Sequence, residues 1–341
     1  MVLEDLLALA DPGLLALAGL SSLAITLASS IFFYALFKKM EHVGVDVHKP
    51  CRVVVPESVG LALAAGFSSS MALVYLASGD SRALAASLSV ALASAIGLAD
   101  DFKPLPAYAK IALGALPALP VLLLEAYNPR PLIPLDGFAR LTLLYPLLAL
   151  LAYTVATNGF NMYDAYNGVM LSTALIALTA LAFAAAMQTA AGIEESSFGL
   201  VASIAALASI AALLPLNLYP SRAFNGDAGS FALGAAYASI AVTGRLEAAA
   251  VIAALPVGLN GFLKIASVGF RERRSFEKPV ELDGWLLKVR RSARAESLFT
   301  LVLSRTPLTE PEMVVVTSAL AWLSALLTLI SIYLTLVRLT W

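Results

Sequence analysis

Acidic and amide side chains cluster beside apolar segments in three separate parts of the chain. Asp100 and Asp101 follow one apolar run, and Asp227 precedes another much later in the sequence. The polar stretch between them contributes a further aspartate and three asparagines: Asn158, Asn161, Asp164 and Asn167. Their oxygens are the hard ligands that Mg²⁺ prefers, and this ion also binds substrate phosphates. The pattern predicts a metal-assisted site for a phosphate-containing substrate.

Basic side chains complement these acids. Lys110 lies shortly after the paired aspartates, and lysines and arginines are frequent between Arg271 and Arg305. Positive charge beside metal-type oxygens suits a metal-bridged diphosphate, whose transfer depends mainly on positioning and on charge stabilisation. The competing interpretation is that these carboxylates only pair with lysines and arginines at the level of the lipid headgroups.

The composition indicates that these residues belong to a membrane protein. Of the 341 residues, 60% are hydrophobic and 13% are charged, and the mean hydropathy is +0.85. Soluble domains have about 45–50% apolar and about 25% charged residues. Glu4, Asp5 and Asp11 precede the first apolar run without the basic flank of a cleavable signal peptide, so we expect this segment to be retained. The one cysteine, Cys51, excludes an internal disulfide.

Ten apolar runs approach the length of about 20 residues that a transmembrane helix needs. They lie near 14–37, 58–77, 83–99, 110–125, 140–157, 168–189, 199–217, 229–243, 247–266 and 314–336. Prolines interrupt some of them, as at Pro117, Pro120 and Pro146. We therefore predict an all-α polytopic membrane protein with about ten transmembrane helices, forming one transmembrane domain over residues 1–341.

The distribution of basic residues predicts the orientation in the membrane. If the N-terminus lies outside, all but five of the 22 lysines and arginines face the cytoplasm, as the positive-inside rule requires. The five exceptions are Arg82, Arg130, Arg140, Arg245 and Arg338. The acidic motifs at the helix ends then all lie on the cytoplasmic face, where we expect the active site.

The longest polar segment, about 267–313, is predicted to be a cytoplasmic loop that forms part of the active site. Asp283-Gly284 separates two strand-like runs, and both residue types tolerate the positive φ that a tight hairpin turn demands. From 293 to 303 the apolar pattern becomes helical, with Leu298, Leu301 and Val302 on one face. We expect a small β-hairpin followed by an amphipathic helix on the membrane surface.

Four motifs occur in order along nearly the whole chain. They are GVDVHKP (44–50) with VPES (55–58), LADD (98–101) with Lys110 nine residues on, NGFNMYDAYNG (158–168), and FNGDAGS (224–230). Together they resemble the polyprenyl-phosphate N-acetylhexosamine-1-phosphate transferases. The Pro-Glu-Ser turn resembles the eukaryotic and archaeal branch that makes N-acetylglucosaminyl-diphosphodolichol. The bacterial peptidoglycan translocases usually carry Met-Gly-Gly there and a His-rich last loop, whereas this chain has only two histidines.

The resemblance implies a role for each matching residue. It implies that Asn161 and Asp227 hold Mg²⁺, with Mn²⁺ as an alternative, that Lys110 contacts the donor diphosphate, and that Asp100 and Asp101 form the acceptor-side pair. One of these acids would accept a proton from the lipid phosphate or orient that phosphate. The resemblance leaves open whether the lipid phosphate attacks the donor directly or the reaction passes through a covalent step. The remaining expected substrate-binding residues are Lys49, Glu57, Asn158, Asn167 (at the uracil), Phe224, Asn225, Arg274 and Lys278.

The implied reaction is attack of a polyprenyl phosphate, such as dolichyl phosphate, on the β-phosphorus of a UDP-N-acetylhexosamine, such as UDP-N-acetylglucosamine. UMP leaves, and a lipid-diphosphate-sugar forms for glycan assembly such as N-glycosylation. The expected partners are these two substrates, membrane lipids and a second copy of the chain, since relatives are often dimers. No nucleic-acid partner is expected.

The chain departs from the relatives at two places. Pro104 stands where the eukaryotic relatives have an asparagine, and their Arg-His-Arg element in the last loop has no histidine here. The identity of the hexosamine is therefore left open.

Three other functions compete with this interpretation. A transporter is the main alternative, although transporters usually bind solutes near the midplane between repeated halves. The segment from Asp136 to Arg140 hints at a CDP-alcohol phosphatidyltransferase, but its spacing is one residue short. A structural role would leave the metal-type oxygens opposite a basic loop unexplained.

Overall fold

The computed structural model describes residues 10–268, 279–290 and 297–340. The longer helices in these ranges are α1 (Pro12–Lys39), α2 (Leu61–Ser78), α3 (Ser81–Phe102), α6 (Tyr145–Tyr163), α7 (Val169–Ala190), α8 (Glu195–Asn217), α9 (Gly226–Thr243), α11 (Leu255–Val268) and α13 (Glu310–Thr340). The short helices are α4 (Ala107–Leu113), α5 (Leu119–Leu123), α10 (Glu247–Ala253) and α12 (Leu298–Leu303), with a 3₁₀ turn at Leu116–Ala118. Three antiparallel strand pairs join β1 (Val43–Asp46) to β2 (Val53–Pro56), β3 (Leu132–Ile133) to β4 (Gly137–Phe138), and β5 (Val280–Asp283) to β6 (Leu286–Val289).

Every predicted apolar run coincides with a helix or a broken helix, but fewer than ten are clear membrane spans. Within the described ranges, six helices are long and apolar enough to cross a membrane: α1, α2, α3, α7, α8 and α13. The pair α10–α11, bent by 71°, supplies a seventh if it counts as one span. The predicted run 110–125 is divided into α4, the 3₁₀ turn and α5 around Pro117 and Pro120, because a proline ring removes a helical hydrogen bond. The total number of spans and their orientation stay predictions.

Two further helices of spanning length, α6 and α9, carry the polar residues of the predicted site. Helix α9 lies at the centre of the bundle, and its residues from Ala228 to Thr243 are all buried. It packs against α3 and α6 at close range: an added Cβ at Gly97 would lie 2.2 Å from the carbonyl oxygen of Asp227, and one at Gly234 would lie 2.5 Å from the Cα of Thr157. Small residues therefore allow the backbones that carry site residues to approach each other directly.

Apolar side chains also cover the outside of the bundle. Leu76 in α2, Val251 in α10, Phe262 in α11 and Trp322 in α13 are all exposed. Large exposed apolar surfaces are unusual in a soluble monomer but are expected of helices that face lipid. The exposed faces agree with an integral membrane protein.

The predicted hairpin in the last polar segment is confirmed. Strands β5 and β6 pair with Asp283 opposite Leu286, and Gly284 in the turn has φ of +61°. The predicted helix is shorter in its described part, since α12 begins at Leu298 with Ser297 as its N-cap, and residues 291–296 lie outside the described ranges. It packs into the protein, because Phe299 is buried against Tyr163 and Tyr166 at ring distances of 5.0 and 5.3 Å.

The first hairpin was not predicted from the sequence. Strands β1 and β2 pair from Val43 opposite Pro56 to Asp46 opposite Val53. The residues after β2 form backbone hydrogen bonds with the segment that precedes α9. The Val59 amide donates to the carbonyl of Phe224, and the Gly60 amide donates to the carbonyl of Asn225. The hairpin therefore brings the first motif, residues 44–58, against the fourth, residues 224–230.

Candidate active site

A cavity of about 210 Å³ lies among the predicted site residues. It lies where the first hairpin, the end of α6, the following loop and the start of α9 meet. Six of the predicted residues line it: Glu57, Asn161, Asn167, Phe224, Asn225 and Asp227. Residues from three of the four sequence motifs, far apart in the chain, are thus brought together.

Asp101 joins α3 to the start of α9. Its carboxylate accepts hydrogen bonds from the backbone N–H of Asp227 at 2.7 Å and of Ala228 at 3.1 Å, and from the hydroxyl of Ser58 at 2.6 Å. The N-cap residue of α9, Asn225, makes no side-chain cap of its own. Asp101 therefore caps this helix from another helix, which satisfies backbone donors that would otherwise lack partners.

Asp100, Lys110 and Asp227 form an ion-paired group at the edge of the cavity. The Lys110 ammonium contacts Asp100 and lies 2.8 Å from Oδ2 of Asp227. Asp100 also accepts a hydrogen bond from the Leu105 backbone at 2.6 Å, which closes the turn between α3 and α4. On the other side of Asp227, the Asn161 amide donates to Oδ1 at 2.6 Å. Asp227 is the shared centre of this group.

Asp164, in the loop after α6, is a further, partly buried acid that lines the cavity. Its two oxygens accept hydrogen bonds from the Asn225 amide at 3.2 and 3.0 Å. Burial raises its pKa to about 7, and the nearby charges of Asp227 and Asp101 add to the effect although the Asn225 bond opposes it. Burial likewise raises the pKa of Glu57, helped by the charge of Asp227. The cavity is strongly acidic and suits a ligand that brings positive charge with it.

A second buried ion cluster adjoins the cavity, and one of its members, Asp46, lines the cavity wall. Lys49 contacts Glu310 and lies 3.0 Å from Asp46, and all three side chains are almost completely buried. Asp46 accepts a hydrogen bond from the side-chain amide of Asn167 at 2.8 Å, and Glu310 accepts one from its backbone N–H at 3.3 Å. Burial tends to raise the pKa of Asp46, but the bond from Asn167 and the pairing with Lys49 hold it below its usual value.

Sequence reasoning missed three residues of this arrangement. Asp46 was noted only as part of a motif, and neither Glu310 nor the contact of Ser58 with Asp101 was expected. Glu310 begins the last helix. The available signal was that Glu310 lies just before an apolar span, on the side predicted to be basic. This signal does not reveal which lysine pairs with Glu310.

Other predicted residues lie elsewhere. Lys49, expected to bind substrate, lies inside the ion cluster rather than on the cavity wall. The Asn158 amide donates to the carbonyl of Thr154 one helical turn earlier, beside Gly114, away from the residues that line the cavity. Arg274 and Lys278 fall outside the described ranges.

The donor set beside Lys110 fits a hard divalent cation. Asp227 offers a carboxylate, and Asn161 offers an amide oxygen if its amide exchanges ends, since it now donates its nitrogen to Asp227. Carboxylate and amide oxygens are ligands of the kind that Mg²⁺ takes, with the remaining positions left to water and phosphate. Both backbone-bonded oxygens of Asp101, in contrast, are already occupied.

A family model described as glycosyl transferase family 4 matches residues 83–245. This segment contains Asp100, Asp101, Lys110, Asn161 and Asp227. The family match covers the ion-paired group and the helices that hold it, from α3 to the end of α9.

Archaeal and bacterial proteins are similar to this chain over longer or shorter stretches. A Saccharolobus solfataricus protein, provisionally named UDP-N-acetylglucosamine–dolichyl-phosphate N-acetylglucosaminephosphotransferase, is 26% identical over 72% of this chain and 76% of its own length. A Sulfolobus acidocaldarius protein of the same name is 26% identical over 70% of this chain and 74% of its own length. A phospho-N-acetylmuramoyl-pentapeptide-transferase of Moorella thermoacetica is 32% identical over 41% of this chain and 45% of its own length.

These similarities confirm the resemblance that the four motifs indicated. They support a membrane enzyme that transfers a sugar phosphate to a polyprenyl phosphate, and the two archaeal names agree with the branch that the Pro-Glu-Ser turn suggested.

Proposed function

Because the chain carries a glycosyl transferase family 4 segment that holds the ion-paired group, we propose that it transfers N-acetylglucosamine 1-phosphate from UDP-N-acetylglucosamine to a dolichyl-type phosphate. The single observation that carries the proposal is the convergence on Asp227. A lysine, an amide and a second aspartate meet at this carboxylate, beside a cavity lined by polar residues. Such a group suits a diphosphate and its counter-ion.

The donor would lie along the cavity with its diphosphate beside Asp227 and Lys110. Asp227 and Asn161 would hold Mg²⁺, which would neutralise the negative charge on the leaving UMP. Lys110 would turn from its carboxylate partners toward the diphosphate and add a fixed positive charge. Asp164 and Glu57, on the same cavity wall, are placed to accept hydrogen bonds from sugar or ribose hydroxyls.

The chemical step exchanges one phosphorus–oxygen bond for another. An oxygen of the lipid phosphate attacks the β-phosphorus of the donor, and the bond from that phosphorus to the oxygen bridging the α-phosphate breaks. That bridging oxygen leaves with UMP. Asp100 is the better candidate to accept a proton from the lipid phosphate or to orient it, because both oxygens of Asp101 are engaged in capping α9. The lipid would approach on the cytoplasmic face, along apolar helix surface.

The decisive experiment is UMP release by the purified full-length protein in detergent. Dolichyl phosphate, Mg²⁺ and UDP-N-acetylglucosamine are supplied together, and each is then omitted in turn. We expect UMP only when all three are present, and we expect Mn²⁺ to substitute partly for Mg²⁺. Other UDP-hexosamines, tested in parallel, identify the preferred donor.

Two variants control the measurement. Asp227→Ala removes the shared carboxylate and should abolish release, whereas Asp80→Asn changes an aspartate at the opposite end of α3 and should leave the rate unchanged. Asp80 caps its own helix through the Arg82 amide at 2.9 Å, a bond that asparagine can also make. A wild-type protein that is folded but silent with every donor contradicts the proposal, and substrate flux in proteoliposomes then tests the transporter alternative.

A further inference from the structure

A chain of side-chain hydrogen bonds reaches the acids of the site from outside the cavity. It begins at His42, in the short segment between α1 and β1, which is not among the residues that line the cavity. Nε2 of His42 lies 2.8 Å from the hydroxyl oxygen of Ser58, and that hydroxyl donates to Oδ2 of Asp101 at 2.6 Å. Asp101 in turn accepts the backbone N–H groups of Asp227 and Ala228. Ser58 therefore connects His42 to the carboxylate that caps α9.

The direction of each bond in this chain is fixed. Both oxygens of Asp101 accept backbone N–H groups, so this carboxylate acts as an acceptor toward Ser58 as well. A serine hydroxyl has one proton to donate, and its oxygen can also accept a hydrogen bond. Ser58 gives that proton to Asp101, so its oxygen can only accept from His42. Nε2 of His42 must therefore carry a hydrogen, and a side chain without a donor cannot take its place.

The ring of His42 is held by aromatic contacts and by its backbone. Its centre lies 4.6 Å from that of Phe102, with 28° between the ring planes, and 5.3 Å from that of Phe37. The N–H of His42 donates to the carbonyl of Phe37 at 2.9 Å, and its carbonyl accepts the N–H of Glu57 at 3.1 Å. Phe102 directly follows Asp101 in α3, so the same helix supplies a ring contact and the acid that the chain reaches. His42 is thus oriented toward Ser58 before any ligand binds.

Ser58 occupies a backbone conformation that serine rarely adopts. Its φ is +61°, and the residue is completely buried. Glycine adopts this conformation without a steric penalty, whereas a residue with a Cβ is strained there. Glycine would therefore suit the backbone better, and the feature that serine adds is its hydroxyl. Strain of this kind persists at sites where it accompanies a function.

We propose that His42 and Ser58 are positioning residues that hold Asp101 in the orientation that fixes the first turn of α9, and thereby the carboxylate of Asp227. This inference rests on the proposed function, in which Asp227 holds the cation beside the donor diphosphate. Neither His42 nor Ser58 lines the cavity, so the geometry at the shared carboxylate is set from outside it. A displacement of about 1 Å near the reacting atoms can cost about 100-fold in rate, so a small movement of Asp227 is enough to impair the reaction.

The test compares two substitutions of His42 that separate its donor from its ring. His42→Phe keeps an aromatic ring beside Phe37 and Phe102 but has no donor, whereas His42→Gln loses the ring and keeps a side-chain N–H. Hydrogen exchange at the start of α9 is followed by mass spectrometry on the full-length protein in detergent without substrate. The amides of Asp227 and Ala228 should exchange about tenfold faster in His42→Phe, because a bond that supports their charged acceptor is lost.

His42→Gln is the matched control, and its exchange at the same amides should stay within about threefold of wild type. A role of His42 in packing alone predicts the opposite order, since phenylalanine replaces the ring better than glutamine does. Faster exchange in His42→Gln than in His42→Phe, or equal exchange in the two variants, overturns the inference.

Ser58→Gly keeps the test valid if His42→Phe does not fold. Glycine accepts the positive φ and removes the hydroxyl, so the same amides should again exchange about tenfold faster. An unchanged exchange rate in Ser58→Gly overturns the inference by itself. Where both single variants fold, adding His42→Phe to Ser58→Gly should change the exchange rate less than about twofold, because His42 acts only through Ser58. Independent effects in the double variant overturn the chain.

UMP release separates this inference from the proposed function. With Mg²⁺ and both substrates, kcat should fall about tenfold in His42→Phe and in Ser58→Gly, and it should stay within about threefold of wild type in His42→Gln. Normal kcat in His42→Phe with faster exchange overturns the positioning of Asp227. If the wild type releases no UMP with any donor, the proposed function fails, whereas the exchange rates still decide whether His42 and Ser58 fix the start of α9.

Discussion

At Asp100 and Asp101, two neighbouring carboxylates leave the end of α3 in different directions. Asp101 accepts the backbone amides at the start of α9, whereas Asp100 contacts Lys110 beside Asp227. The resemblance gives Asp100 and Asp101 a joint role on the acceptor side, but their contacts indicate two different roles. Asp101 supports the helix that carries Asp227. Asp100 can face a substrate phosphate once Lys110 has turned away from Asp100 and toward that phosphate.

The division predicts opposite outcomes for two similar variants. Asp101→Asn replaces one accepting oxygen by a donor that faces a backbone N–H, so it should lower the stability of the protein by about 1 kcal/mol, as the loss of a helix cap does. Asp100→Asn leaves Lys110 paired with Asp227 and should change stability little, but it should lower kcat about 100-fold or more if this acid handles a proton. Thermal unfolding and UMP release are measured on both proteins. Equal losses in both assays would contradict the division.

Asp164 predicts a dependence of stability on pH. Its pKa is about 7 in the folded protein, against a usual value of 3.8, so the folded state keeps a proton that the unfolded chain releases. The contribution of Asp164 to stability should therefore be fully present below about pH 4 and be lost as the pH rises through 7. Asp164→Asn preserves the bond with Asn225 and removes this proton, so its melting temperature should fall less over the same interval. Melting curves are recorded in detergent with a chelator, and parallel profiles for the two proteins would argue against Asp164 as the cause.

The elements that carry the site are in direct backbone contact. The carbonyl of Asp227 lies where a Cβ of Gly97 would be, and Gly226 adopts a φ of +67° with no room for a side chain beside Ser58 and Asp101. The start of α9 is thus packed between α3 and the residues 58–60 that precede α2. A methyl group at these contacts would move the carboxylates relative to one another.

Gly97→Ala should therefore impair the enzyme from a position that touches no substrate. Overpacking of this kind costs about 1–3 kcal/mol of stability, and the displacement of Asp227 should reduce UMP release at least about tenfold. Gly261→Ala in α11 is the matched control, because an added Cβ meets no atom within 4 Å there. That variant should keep full activity and gain up to about 1 kcal/mol of stability from its better helix propensity. Normal UMP release by Gly97→Ala would show that α3 and α9 can move apart without loss of activity.

Across the whole molecule, the single cysteine provides a natural reporter of orientation. Cys51 is exposed and lies in the turn of the first hairpin, on the predicted cytoplasmic side. In cells, a membrane-impermeant maleimide should label it only after the membrane is opened or inverted. A Cys51→Ser/Glu194→Cys protein moves the thiol to the exposed turn between α7 and α8 and should be labelled from outside. The reverse pattern would contradict the predicted topology.

The sequence predicted the helices, the hairpin and the acidic cluster better than it predicted which distant residues contact one another. Helical runs, the Asp283-Gly284 hairpin and the cluster around Asp227 follow from apolar length, turn chemistry and the placement of acids at helix ends. The ten spans are not confirmed as a number, because prolines divide the run 110–125 and polar site residues reduce the apolar character of α6 and α9. The cap formed by Asp101 and the pairing of Lys49 with Glu310 join distant segments, and neither periodicity nor charge pattern specifies such partners.

The position of Glu310 has a consequence for how the protein is made. Its two partners, Lys49 and Asn167, are synthesised long before the last helix that supplies it. Until α13 has entered the bilayer, Lys49 has only Asp46 as a carboxylate partner in this cluster, and the backbone N–H of Asn167 has no acceptor there. The groups around Asp227 can assemble on a nascent chain, but the supports of Asn167 are complete only when the last helix has been inserted.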